Sequence, residues 1–220
     1  MRIATWNIER LKHKADSDKI YEKIYDAKAD ILVLTETDTR ISPEYKYCYS
    51  TPLLAEIQPD YYGETENRVT IFSDYPCVRQ YDTFDNRTAI CVDLDTPKGL
   101  LLVYGTIIGI FGNREKSFMP DLEKQMEDIR RLTAESQQIC VLGDYNLTFC
   151  DNYYYTKAGR DAVNDTFKEC GLKLVTRDRA ECIDHIAISE SFTAGSTITV
   201  DEWNYDKTLS DHKGIVADIR

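Results

Sequence analysis

Two stretches of this chain share one plan: an apolar run, an amphipathic run, then a second apolar run. The first occupies 2–8, 17–28 and 31–36; the second occupies 100–110, 120–136 and 139–143. In each, the spacing predicts strand, helix, strand, which makes the chain an α/β protein. Further strand-like runs, at 68–73, 88–94, 172–175, 183–189, 197–203 and 214–219, follow mostly without a helix between them. All are short and rich in Ile, Val, Thr and Tyr, as strands are. Runs of strands in sequence pair antiparallel, so mixed sheets are expected.

The helices read from apolar spacing. Over 17–28, Ile20, Ile24 and Ala27 share one side, with Asp16 placed as the cap. Over 120–136, Leu122, Met126, Ile129 and Leu132 do the same, with Pro120 in the first turn. Over 161–170, Val163, Phe167 and Cys170 align, and Gly171 is placed to end the helix. With 220 residues, 42% of them hydrophobic, the chain suits a single domain spanning 1–220.

The formal net charge of −11 argues against a protein that grips duplex DNA mainly by neutralising phosphates. A local basic patch, or a site whose bound cations supply the positive charge, stays open. The seven cysteines are odd in number and form no C-x-x-C pair, so reduced thiols are expected rather than a disulfide frame or a zinc site. Met1 leads directly into a strand-like run with no signal-peptide pattern, and no apolar stretch nears the ~18 residues that span a membrane. A soluble cytoplasmic protein is the expectation.

Polar groups gather at the ends of the strands. Asn7 and Glu9 close the first, Glu36 and Asp38 the second, and Asp144 and Asn146 the strand after the long helix. Carboxyl ends of strands are where α/β proteins place ligands. Asp184-His185 and Asp211-His212 instead open two late strands. If those strands run antiparallel to the early ones, all five clusters meet at one cleft. Carboxylates gathered there repel one another unless a cation neutralises them. Carboxylate and amide oxygens suit hard Mg²⁺ or Mn²⁺ better than zinc. Such a metal beside a histidine suits water attack on phosphorus. His185, inside a strand, points away from Asp184 and reads as structural.

"TWNIE", "LTETD", "VLGDYN", "IDHIAIS" and "LSDHKGIV", in this order, resemble the motifs of the endonuclease/exonuclease/phosphatase superfamily. "NRVTIFSDYP" (67–76) looks like its strand before a Ser-x-x-Pro turn. The resemblance runs from residue 5 to residue 216. It implies a four-layer α/β/β/α sandwich, two mixed and mainly antiparallel sheets flanked by helices, with a divalent-metal phosphoesterase site on one edge. It implies Glu36 as metal ligand, with Asn7, Asp211 and Glu9 on the metal side. Asp144 would position or deprotonate the attacking water, beside Asn146. His212 would contact the scissile phosphate, paired with Asp184.

Glu9 stands where many members carry Asp, and Thr106-Ile107 where many carry a phosphate-facing His or Tyr. Thr106 is therefore expected to bind substrate by its hydroxyl. Arg10, Lys12 and Lys14 in "RLKHK" could form a basic lip for a neighbouring phosphate, with Lys157 and Arg160 beside it. The lip tilts the reading toward a nuclease acting on short or single-stranded nucleic acid. A small-molecule or phospholipid-headgroup phosphatase or phosphodiesterase, and a lapsed member that only binds through the cleft, stay open.

Overall fold

The computed structural model describes residues 1–136 and 138–220. Strand β1 (Arg2–Asn7) leads through helix α1 (Ser17–Ala27) to β2 (Ile31–Asp38). Then come β3 (Tyr47–Ser50), β4 (Glu66–Ser73), β5 (Cys77–Tyr81), β6 (Ala89–Thr96) and β7 (Gly99–Ile107). Helix α2 (Phe118–Glu135) returns the chain to β8 (Ile139–Asp144), and α3 (Lys157–Glu169) follows. The chain ends with β9 (Leu172–Leu174), β10 (Asp184–Ser189), β11 (Ile198–Trp203) and β12 (Gly214–Ile219).

The strands form two six-stranded sheets, in the orders β11-β12-β1-β2-β4-β3 and β5-β6-β7-β8-β10-β9. Among the described residues, only the two strand–helix–strand units give parallel pairs, β1 with β2 and β7 with β8; the other pairings are antiparallel. Alternating side chains from the facing sheets, such as Ile31, Val33, Val69 and Ile71 against Val92, Val103, Leu142 and Ile186, fill the central core. Helix α1 covers the outer face of the first sheet through Ile20 and Ile24, packed with Trp6, Leu32 and Leu34. Helices α2 and α3 cover the outer face of the second through Leu122, Ile129, Val163 and Phe167. The result is the expected four-layer α/β/β/α sandwich.

The three helices form for the expected reasons, with two differences. Asp16 stands at the N-cap of α1, but its carboxylate pairs with Lys19 at 2.8 Å instead of capping. Helix α3 begins at Lys157, four residues early, because the Thr156 hydroxyl accepts from the Gly159 N–H. Strands β3 and β5 are unexpected. Both are mostly exposed at sheet edges, so no apolar alternation marks them.

The topology brings the sites to one edge. The ends of parallel β1, β2, β7 and β8 meet the starts of antiparallel β4, β10 and β12 there. The register sets Asp184 directly opposite Asp144, so both side chains emerge on one face. Gly143, at φ +138°, lets β7 and β8 approach so closely that any Cβ would strike the Thr106 carbonyl.

Candidate active site

At the centre lies Asp144, almost fully buried at the end of β8. Its Oδ1 accepts the Asn146 N–H at 2.9 Å, a turn that holds Asn146 at φ +52°. Its Oδ2 accepts from the Asn7 amide at 3.2 Å and lies 4.0 Å from His212 Nε2. The Asn146 amide reaches back to the carbonyls of Ile108 and Gly109, at 3.0 and 3.2 Å, and ties the loop after β7 to the site.

His212 donates from Nδ1 to Asp184 Oδ2 at 2.6 Å, a short charge-assisted bond. That bond leaves Nε2 facing the cleft, 3.4 Å from Asp211 Oδ1. Burial disfavours the imidazolium, but Asp184 and Asp144 outweigh it and push His212 up to about 10. Burial also pushes the Asp144 carboxyl up to about 7; Asp184 adds to this, and the His212 charge opposes it. Near neutral pH the site thus pairs a charged imidazolium with a carboxylate poised to take a proton.

Residues beyond the motifs hold His212 in place. The Ser210 hydroxyl donates to the Asn7 carbonyl at 2.6 Å and accepts the His212 N–H at 3.1 Å. The Asn204 amide and the Trp6 indole N–H donate to the His212 carbonyl, at 2.7 and 3.1 Å. Ser210 is visible inside "LSDH"; nothing around Asn204 in sequence marks its role.

Glu36, at φ +41° within β2, binds the Arg10 guanidinium at 2.8 Å. Glu9, Arg10 and Leu11 are all left-handed, at φ +47°, +51° and +55°. For L-residues that conformation costs about 1–2 kcal/mol each, and such strain gathers at functional sites. Glu9 spends both carboxylate oxygens locally. Oε1 binds Lys12 at 2.9 Å and Oε2 accepts the Asp211 N–H at 2.9 Å. Asp38 likewise braces Arg40 and Thr65.

Several candidates lie elsewhere than expected. Thr106 is fully buried, its hydroxyl donating to the Gln125 side chain of α2. The pleat puts Gly105 against the first sheet, so Thr106 faces the helix layer and does not reach the cleft. Ile107 joins the inter-sheet core. In the basic lip, Arg10 and Lys12 are each paired with a carboxylate, Glu36 and Glu9. Lys157 pairs with Asp161, and Arg160 is bound to the carbonyls of Thr148 and Asp151 and stacked on Tyr155.

His185 is fully buried on the opposite face of β10 from Asp184, against Phe149 and Tyr145. It bonds the Thr176 hydroxyl and the Leu147 carbonyl, each at 2.9 Å.

Beside His212 the cleft opens into a cavity of about 330 Å³, lined by Asn146, Tyr153, Tyr154, Asp211 and Lys213. One side-chain donor atom each from Asp144, Asp184 and His212 lie within 4.8 Å of one another. The spacing would let the trio hold a metal ion; with His212 protonated, its imidazole has no free lone pair and the group would handle protons instead. Glu36, the Asn7 amide and Asp211 would add hard oxygens for a divalent cation. Burial raises the Asp144 carboxyl most, and the carboxylates of Asp184 and Glu36 add to it; a cation would relieve that second part.

A model of the Endonuclease/Exonuclease/phosphatase family matches residues 4–212. No curated protein sequence matches significantly. Among solved structures, the 3′-5′ exonuclease NExo from Neisseria meningitidis superposes with a TM-score of 0.73 at 18% identity, covering 100% of this chain and 99% of its own. An AP endonuclease from Archaeoglobus fulgidus gives 0.68 at 14% identity, with 100% and 99% covered. Beta toxin from Staphylococcus aureus gives 0.62 at 15%, with both chains fully covered. At such identities the likeness is one of fold. The family match over nearly the whole chain, on a sandwich that gathers its motif residues at one edge, makes this chain a member of the Endonuclease/Exonuclease/phosphatase family.

Proposed function

We propose that this chain is a Mg²⁺- or Mn²⁺-dependent phosphoesterase that hydrolyses a phosphoester of a short or single-stranded nucleic acid. The observation that carries the chemistry is the line Asp184–His212–Asp144–Asn7, joined end to end across two sheets. Asp144 orients a water and takes its proton, with Asn7 and Asn146 fixing the carboxylate. His212, charged and held by Asp184, presents Nε2–H to a phosphate oxygen and stabilises the charge that builds there. Glu36, with Asp211 and Asn7, would hold the cation. Such an ion lowers the pKa of water and balances phosphate charge. With a cation on Glu36, Arg10 would be free to face a neighbouring phosphate.

Support for a nucleic-acid substrate comes from NExo, described as a 3′ phosphatase bound to a product DNA hairpin, which is matched along its whole length. The charge of −11 favours a strand end or short strand over a long duplex. The paired state of Arg10 and Lys12 favours a second reading, a small phosphoester that needs no flanking grip.

The test is hydrolysis of bis-p-nitrophenyl phosphate, p-nitrophenyl phosphate and 3′-phosphorylated oligonucleotides with Mg²⁺, Mn²⁺ or EDTA, for the wild type and Asp144→Ala. Metal-dependent release lost in Asp144→Ala is expected. Release that survives both EDTA and the substitution would sink the reading. The oligonucleotide-to-small-ester ratio separates the two substrates.

A further inference from the structure

A second pocket, of about 210 Å³, shares no lining residue with the 330 Å³ cavity. Its walls include Leu54, Ile57, Tyr62, Arg68, Ile110 and Phe111. It adjoins the catalytic edge twice. Tyr62 lies under the Arg10 guanidinium, 5.7 Å from it, and Arg10 binds Glu36. Ile110 and Phe111 follow directly on the two carbonyls that Asn146 holds.

Two features are unusual for a merely structural hollow. Arg68 is only 5% exposed, yet its guanidinium has no carboxylate partner among the described residues. It binds the Tyr62 hydroxyl at 2.7 Å and sits 5.1 Å over the Tyr62 ring. Asp85, also lining the pocket, pairs through Oδ1 with Arg87 at 2.9 Å, and no ion pair joins it to Arg68 among the described residues. Buried arginines are ordinarily paired, because an uncompensated buried charge is costly. Meanwhile Phe111 and Ile57 stand 70% and 42% exposed at the same pocket.

Building on the phosphoesterase reading, we infer that this pocket binds one unpaired nucleobase of the substrate, next to the scissile phosphate. The ring stacks among Phe111, Ile57 and Ile110, and Arg68 donates to the oxygen or nitrogen acceptors on its edge. A free phosphate would leave the apolar walls uncovered. An acyl chain would leave the Arg68 donors unmet. The volume is below the about 300–1,000 Å³ of sites for drug-sized ligands, which suits one planar ring.

The test is fluorescence anisotropy with the Asp144→Ala protein in Mg²⁺, which separates binding from turnover. The probes are a fluorescein-labelled thymidine tetranucleotide and the same sugar-phosphate strand without bases. The base-bearing strand is expected to bind about tenfold more tightly. Adding Phe111→Ala, at an exposed position, removes that preference and leaves the base-free strand unaffected; Arg68→Met does the same. Equal binding of the two strands, equal weakening of both by Phe111→Ala, or no measurable binding of either overturns the inference. Bis-p-nitrophenyl phosphate hydrolysis by the wild type, abolished by EDTA, reads the phosphoesterase separately. Hydrolysis with no base preference rejects the pocket alone.

Discussion

The dipeptide Asp-His occurs twice, each time opening toward a late strand, and the two histidines end in opposite states. Both are largely removed from water: His185 is fully buried, and the His212 side chain is 12% exposed. Burial alone pushes both toward the neutral form. His185 meets a hydroxyl, a carbonyl and aromatic rings, so burial wins and its pKa falls to about 4. His212 meets Asp184 and Asp144, so the carboxylates win and it rises to about 10. The pleat makes the difference. Asp184 and His185 share a strand, so their side chains point to opposite faces. Asp184 serves the other histidine, from the other sheet. The charge state of a buried histidine is set by what faces it, not by its neighbour in sequence.

The comparison breaks most visibly on the His212 side. Replacing Asp144 with Asn, or His212 with Gln, is expected to lower metal-dependent diester hydrolysis by about 10²–10⁴-fold with the thermal midpoint little lowered. Comparable rates in both variants and the wild type, measured with the p-nitrophenyl diester, would remove the cleft from the reaction. Adding EDTA to the wild type should cost as much, and restoring Mg²⁺ or Mn²⁺ should recover it.

Asp184→Asn comes next, at about 10²-fold or more, because His212 loses its tautomer and its counter-charge. Its signature is in the pH profile. The alkaline limb, where His212 loses its proton, should move from near pH 10 toward the ordinary histidine range. A profile unchanged in shape would refute the dyad even if the rate fell.

His185→Gln sharpens the contrast from the other side. Activity should stay within about twofold, while stability falls by about 1–3 kcal/mol through the disturbed bonds to Thr176 and Leu147. Its pH dependence is a separate signature of similar size. His185 has a depressed pKa in the fold, so below about pH 6.5 the unfolded chain binds a proton that the native state refuses. Stability is lost as pH falls from about 6.5 to about 4, and His185 contributes about 3 kcal/mol of that loss at most. Urea midpoints at pH 7 and pH 4.5 should therefore converge between His185→Gln and the wild type at the lower pH. A constant gap would mean that His185 is not held neutral.

Much of the fold and of the site is legible in the order of amino acids alone. Both strand–helix–strand units announce themselves by period, and the ordered motifs place Asn7, Glu36, Asp144, Asp184 and His212 at strand ends that do meet. Edge strands β3 and β5 are not legible, since a strand with little buried face carries no alternation. Sequence reasoning misplaces Thr106 because one residue along a strand reverses the face. It does not show which carboxylates the lip cations pair with, because those partners are found through folding, as Arg10 finds Glu36. Arg68 and Phe111 cannot be associated at all, since nothing local links β4 to the loop after β7.

The sequence by itself determined the elements, their order and the chemical inventory of the edge, because apolar period and strand-end polarity are local properties. Only the tertiary structure decided which carboxylate meets which histidine, which arginine is left without an acid, and which groups carry charge. Those depend on distance and burial between residues far apart in the chain, and electrostatics in a partly dry interior responds to nothing else so strongly.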